Sequence, residues 1–142
     1  MAMKAHHALE AETAFVTCVK SIAPSCLDER QQKDIAARKM IEGCRDVVPL
    51  TPDILLVAPT RICGSVCHWI EYKNYFGFKS DPFLHKRNRA QFKRYVAAYS
   101  SGMVVYKLGF ETGLLSIEGV CCFREAEVVH WLHESSPCDL VV

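Results

Sequence analysis

Thr51-Pro52-Asp53-Ile54-Leu55-Leu56-Val57-Ala58, answered by Val66-Cys67-His68-Trp69-Ile70-Glu71-Tyr72-Lys73, is the stretch that decides how this chain folds. Two apolar runs flank the segment from Pro59 to Gly64, and apolar runs around a Pro- and Gly-bearing segment read as the arms of a β-hairpin. In a strand, residues i and i+2 point to the same side, so Glu71 and Lys73 share a face. A hairpin centred near Ile62 sets Asp53 opposite Glu71, on that same face. Two carboxylates and an ammonium then converge at one place on a sheet. Carboxylates about 4.5 Å apart repel by about 4 kcal/mol at an effective dielectric of about 20. A core has no use for such a cluster, whereas a divalent cation and a phosphate do.

Outward from the hairpin the chain is legible as alternating elements. From about Ala5 to Ile22 the spacing predicts a helix, with Leu9, Phe15, Val16, Val19 and Ile22 on its apolar stripe. Glu12 lies on that stripe, three residues after Leu9 and four before Val16, while Glu10 points elsewhere. An acid within an apolar stripe needs a reason. Pro24 ends this helix, and Asp28 caps a second one running toward Gly43, with Ile35, Ala36, Met40 and Ile41 turned inward. A loop punctuated by Pro49 and Pro52 leads into the hairpin. Pro82 opens a third helix over about Phe83 to Tyr99, and Gly102 opens a strand from Met103 to Phe110. Leu114 to Phe123 reads as strand, and Glu127 to Leu132 as strand or helix. The strand–helix–strand order around the third helix implies a parallel pair joined by a right-handed crossover.

The 142 residues make one domain, 1–142, and half of them are hydrophobic, which excludes a disordered chain. The net charge of +1 says nothing about partners. The opening residues carry no apolar signal segment and no run is long enough to span a membrane, so the expectation is an intracellular protein, nuclear or cytoplasmic, with no membrane partner. The eight cysteines are then expected to be reduced thiols, most of them acting as small buried hydrophobes.

The hairpin cluster has a definite chemistry. Mg²⁺ takes oxygen ligands, commonly one or two carboxylates together with substrate phosphate. Asp53 and Glu71 supply carboxylates, and the backbone carbonyl of Tyr72 supplies a further oxygen. Lys73 is placed to hold a water or to offset charge building on a phosphate. The third helix adds Lys86, Arg87, Arg89, Lys93 and Arg94 around Gln91 and Tyr95, which stand at i and i+4 on one face. Arg87 and Arg94 share the Gln91 face and are expected to contact nucleic-acid phosphates, with Lys86 and Lys93 on the flanks.

In order and spacing these residues resemble the PD-(D/E)xK nuclease superfamily: a helix with Glu, an Asp opening a strand, Glu-x-Lys, then a helix with Gln-x-x-x-Tyr. More narrowly, Thr51-Pro52-Asp53, His68-Trp69-Ile70-Glu71-Tyr72-Lys73, Phe76-Gly77, Gln91-Phe92-Lys93-Arg94-Tyr95 and Gly102-Met103-Val104-Val105-Tyr106 are similar to the TPD-motif family, which includes a codanin-interacting nuclease. The resemblance implies an α/β (α+β) restriction-endonuclease-like core, αβββαβ, with a mixed central sheet flanked by helices. It implies Asp53 and Glu71 as ligands of Mg²⁺ or Mn²⁺, with Glu12 (or its neighbour Glu10) as the acid of the first helix at the metal. It implies Lys73 as the catalytic lysine, with Gln91 and Tyr95 orienting it or touching the scissile region. The implied partners are DNA, branched and single-stranded forms included, and a protein of the codanin kind. Larger relatives carry a helical N-terminal region for which these residues leave no room.

Two rival readings stand beside this one. His130, His133 and Cys138, with Cys121 or Cys122, offer a zinc set, although not at the tight Cys spacing of structural zinc sites. The chain is also open to reading as a scaffold that keeps the nuclease fold and docks a partner without cleaving nucleic acid.

Overall fold

The computed structural model describes residues 2–43 and 50–142, with side chains from His7 onward. Its centre is a five-stranded sheet in the order β1 (Leu27–Asp28), β2 (Ile54–Ile62), β3 (Ser65–Lys73), β4 (Gly102–Tyr106), β5 (Val120–Arg124). The β1/β2 and β2/β3 pairs are antiparallel, and β3/β4 and β4/β5 are parallel. The sheet is therefore mixed. The helices are α1 (Ala2–Ile22), α2 (Glu29–Ile41), α3 (Pro82–Tyr99) and α4 (Glu125–Glu134), followed by a short 3₁₀ turn at Pro137–Leu140. As expected, α3 is the crossover of a parallel pair. Among the described residues no helix is long and apolar enough to cross a membrane.

Strand alternation sorts the core into two layers. Ile54, Ile70, Tyr72, Met103 and Val105 face α1 and α4, where they meet Phe15, Val19, Val128 and Leu132. Trp69, Val104 and Tyr106 face α3 and meet Phe92 and Tyr95. The neighbours Cys121 and Cys122 fall on opposite faces in the same way. Among the described residues every cysteine is a free thiol, and Cys26 and Cys67 are fully buried; Cys44 lies outside the described residues, as does Pro49.

Several expectations are corrected. The first helix begins at Ala2 rather than Ala5, and Leu9 is 61% exposed; the buried face of α1 starts at Phe15. On α2 three of the four residues expected inward are outside: Ile35 is exposed, Met40 is 60% and Ile41 87% exposed, while Ala36 is half-buried. The one buried residue of α2 is Gln32, because the helix meets the sheet through its first turn. That turn is fixed by a capping box between Asp28 and Gln31, and Lys20 of α1 donates to both side chains, at 2.7 and 2.9 Å. The segment from Leu114 to Gly119 is irregular, so only Val120 to Arg124 is strand, and the residues from Glu125 are helix. Neither α2, inserted between β1 and β2, nor the β5–α4 extension belongs to the expected αβββαβ order.

The hairpin turn is also displaced. Pairing of Ile54 with Ile70 and Leu55 with Trp69 is the expected register, but Thr60 then pairs with Cys67 where an unbroken ladder would give it Gly64. The extra residues carry β2 on to Ile62, and a two-residue turn, Cys63 (φ 51°) and Gly64 (φ 78°), joins it to Ser65. Positive φ at both positions is the hairpin geometry that suits strand twist, and Gly64 adopts it without strain.

The join between α3 and β4 is the tightest place in the fold. Trp69 is wholly buried against Phe92 and Tyr95, with its indole N–H donating to the Ser100 carbonyl at 2.9 Å. A Cβ on Gly102 would stand 2.0 Å from the Trp69 ring. Gly102→Ala is expected to cost at least about 1–3 kcal/mol, as overpacking of a filled core does. Ser100 itself sits at φ 78°, ψ −154°, a region nearly reserved for glycine that costs other residues about 1–3 kcal/mol. Ser100→Gly should therefore raise the melting temperature, in the opposite sense to Gly102→Ala, when both are measured by thermal unfolding.

Candidate functional site

The site lies at the end of β3 that meets the start of β2. Asp53 precedes β2, and its backbone N–H donates to Glu71 Oε1 at 3.0 Å. In return, the backbone N–H of Tyr72 donates to Asp53 Oδ2 at 2.7 Å. Each carboxylate is thus held by the strand that carries the other. The residues flanking Asp53 are pinned as well. The Gln32 amide donates to the Pro52 carbonyl at 2.9 Å, and the Tyr95 hydroxyl to the Thr51 carbonyl at 3.4 Å.

Lys73 lies two residues beyond Glu71 on the same face, with Nζ 3.5 Å from Glu71 Oε2. Its ammonium also donates to Gln91 Oε1 at 3.1 Å and sits 5.6 Å from the centre of the Phe92 ring. Gln91 Nε2 in turn donates to the Tyr95 hydroxyl at 3.1 Å. The relay Lys73–Gln91–Tyr95–Thr51 runs from β3 through α3 and back to the residue two before Asp53. The structure thus brings together Asp53, Glu71, Lys73, Gln91 and Tyr95, all five expected at the site.

Glu12 reaches the cluster from α1, where it lines one cavity with Asp53. Glu10 is exposed, on the His7 side of the helix, so Glu12 is the first-helix acid at the site. Burial first, and then the neighbouring Asp53 charge, push the Glu12 carboxyl up to about 7. Burial and then Glu71 push Asp53 up to about 7. Glu71 is raised by burial, against the pull of Lys73.

The donor set is oxygen throughout: the carboxylates of Glu12, Asp53 and Glu71, and the carbonyl of Tyr72. In an extended strand a residue's N–H and C=O face the same neighbour, so the Tyr72 carbonyl turns toward the Asp53 side along with its N–H. Hard oxygen donors suit Mg²⁺ or Mn²⁺ rather than zinc. Among the described residues no three acidic, His or Cys side chains stand together closely enough to hold a metal ion by themselves. The alternative zinc set is not assembled either: His130 and His133 are exposed on α4, and Cys138 is exposed on the 3₁₀ turn, beside Ser136.

On α3, Arg87, Arg94, Lys86 and Lys93 are all exposed, and Gln91 is half-buried at the edge of the helix nearest Lys73. At 100° per residue, Arg87 and Arg94 continue outward from that edge, whereas Lys86 and Lys93 lie past the buried Phe92 on the other side.

Several supporting residues were not expected from sequence. Gln32 holds Pro52, and the Thr51 carbonyl ends the relay. Tyr72 contributes through its side chain also, stacking on Phe15 at 5.0 Å and donating its hydroxyl to Glu125 at 3.1 Å. Phe15 lies one turn beyond Glu12, so this stack sets where α1 presents its acid.

The sequence matches the family described as "Protein of unknown function TPD sequence-motif" over residues 2–131, and the chain belongs to that family. It is similar to proteins named "CDAN1-interacting nuclease 1". It is 34% identical to that of Gallus gallus over 91 residues, covering 64% of this chain and 30% of the relative. It is 36% identical to that of Xenopus tropicalis over 93 residues, covering 64% and 27%. It is 33% identical to that of Homo sapiens over 81 residues, covering 56% and 25%. The matched stretch is thus less than a third of the length of these curated relatives. No solved structure matches the chain.

The raised carboxyls fix how metal-free stability depends on pH. Asp53 and Glu12 hold protons up to about pH 7 when folded, but release them near their ordinary values of 3.8 and 4.5 when unfolded. The folded state binds more protons in that window, so stability falls as pH rises from about 4 through about 7. In EDTA the melting temperature should decline across this range. Asp53→Asn should flatten the decline and melt above the wild type at its alkaline end. A variant that melted below the wild type at every pH would make Asp53 a structural residue.

Proposed function

We propose that this member of the TPD-motif family is a divalent-metal-dependent nuclease of the PD-(D/E)xK kind, hydrolysing phosphodiester bonds in DNA. The observation that carries the reading is the reciprocal pairing of Asp53 and Glu71 with Lys73 beside them and Gln91 behind it. The order α1, β1–β3, α3, β4, once α2 is set aside, supports the same reading, as do the relatives' names.

Asp53 and Glu71, with Glu12 and the Tyr72 carbonyl, are the residues to hold Mg²⁺ or Mn²⁺, which supplies Lewis-acid polarisation of the phosphate and a more acidic water. The chain's own part is positioning. Lys73 has three N–H donors. One goes to Gln91 Oε1 and one faces Glu71 Oε2, which leaves the third for a water or a phosphoryl oxygen. Because Gln91 is fixed in turn by Tyr95, the free N–H keeps its direction while charge develops on the phosphate. Glu12, which lines a cavity together with Asp53, can take a proton from an attacking water. The name of the relatives also supports a codanin-like protein as partner for this chain.

Cleavage of single-stranded, duplex and branched DNA with Mg²⁺ or Mn²⁺ tests the reading, and no cleavage of any of them would leave the scaffold alternative. Lys73→Ala is expected to lose cleavage by orders of magnitude yet keep Mg²⁺-induced thermal stabilisation, since it removes a transition-state donor and no ligand. Asp53→Asn and Glu71→Gln should lose both. For the helix edge, the double variant Arg87→Ala/Arg94→Ala should lower the slope of log affinity against log salt by about two, roughly one per lost phosphate contact. Lys86→Ala and Lys93→Ala should change it less. An unchanged slope in the double variant would place the nucleic acid elsewhere.

A further inference from the structure

Between the segment that follows β3 and the start of α3 lies a cavity of about 230 Å³. Its walls are the rings of Tyr75, Phe76 and Phe78 and the side chains of Leu84, Leu114 and Leu115, with Asp81, His85 and the buried Asn88 as its polar members. The Phe76 and Phe78 rings are 4.4 Å apart, and Tyr75 packs edge-on to Tyr106 at 6.2 Å. Asn88 Nδ2 donates to the Tyr75 hydroxyl at 2.8 Å, which fixes that ring. Drug-sized ligands occupy pockets of about 300–1,000 Å³. This cavity is smaller, the size for one planar ring system among aromatic walls.

Its position relates it to the candidate site. Tyr106 lines the cavity and is the partner of Lys73 in the β3–β4 register. Asn88 stands three residues before Gln91, which holds Lys73, and three residues span about 4.5 Å of helix axis. The mouth carries an exposed ring and a cation: Phe78 is 57% exposed, and the exposed Lys79 that follows it has its ammonium beside Gly113, next to the lining residues Leu114 and Leu115. Aromatic faces interleaved with cations are how proteins hold single strands, the rings taking bases and the cations tracking the backbone. A base within a duplex is stacked on both faces and cannot enter such a cavity; an unpaired one can.

We propose that this cavity receives one unstacked base of an unpaired strand, adjacent to the phosphate at Lys73, so that the preferred substrate carries single-stranded nucleotides. The inference rests on the proposed nuclease site for its location, but it is tested by binding alone. Fluorescence anisotropy with Ca²⁺ in place of Mg²⁺ would compare a labelled oligothymidylate, an abasic strand of the same length and a blunt duplex. The wild type is expected to bind oligothymidylate about ten-fold more tightly than the abasic strand. Phe78→Ala, at an exposed position, and His85→Ala should each remove most of that difference while leaving abasic and duplex affinities in place. Equal affinity of the wild type for the oligothymidylate and abasic strands would overturn the proposal. So would a Phe78→Ala variant that binds all three probes like the wild type, which would leave the aromatic mouth to a protein partner, or one that loses affinity for all three alike. Base-dependent binding without Mg²⁺-dependent cleavage would keep the cavity assignment and overturn the nuclease reading; cleavage without base dependence would do the reverse.

Discussion

Asp53 and Glu71 each accept a backbone N–H from the strand that bears the other. This exchange takes the place of an ordinary ladder rung at the mouth of the β2–β3 hairpin, and the rest of the site depends on it. It brings two acids together in a poorly solvated place without leaving either one unbonded. The repulsion is not removed, however. Burial raises both carboxyls, and for Asp53 the charge of Glu71 adds to it. The fold spends stability on keeping these charges close, which is a common property of sites that bind or react.

The surrounding elements serve to hold that arrangement from every side. Thr51, Pro52 and Asp53 are tied to α3, α2 and β3 respectively, through Tyr95, Gln32 and Glu71. Lys73 is held from α3 by Gln91, and α1 is registered on β3 by the Phe15–Tyr72 stack. The burial of Trp69 behind Glu71 gives α3 a rigid seat, and Gly102 is what lets the next strand pass beneath that ring. Two helices and one strand therefore converge on three consecutive residues.

Much of this was legible in the sequence because it is local or periodic. The i, i+2 placement of Glu71 and Lys73, the Gln91/Tyr95 spacing, the Asp28 cap and the parallel crossover follow from short-range geometry. The inner register of the hairpin was legible too, since Asp53 and Glu71 are the only acids near its mouth. What was not legible depends on which surfaces meet. Met40 and Ile41 have helical spacing but face outward, because α2 touches the sheet only through its first turn. Leu9 likewise precedes the point where α1 reaches the core. Leu114 to Gly119 is apolar enough for a strand, yet Leu114 is buried in the α3-side core from an irregular segment. The role of Gln32 needed knowledge of where Pro52 ends up in space.

The slip in the β2–β3 ladder between Leu55 and Thr60 divides the hairpin into two paired sections in series. The inner one takes its register from the carboxylates, the outer one from the Cys63–Gly64 turn. In an unbroken hairpin a one-residue change of length near the turn would invert every side chain down to the mouth. Here the irregular stretch behaves as an expansion joint, taking up such a change before it reaches Ile54. A change of length at the Cys63–Gly64 turn is thus kept apart from the geometry of Asp53 and Glu71, while the outer section stays seated through the buried Ile62 and the Thr60–Val141 bridge.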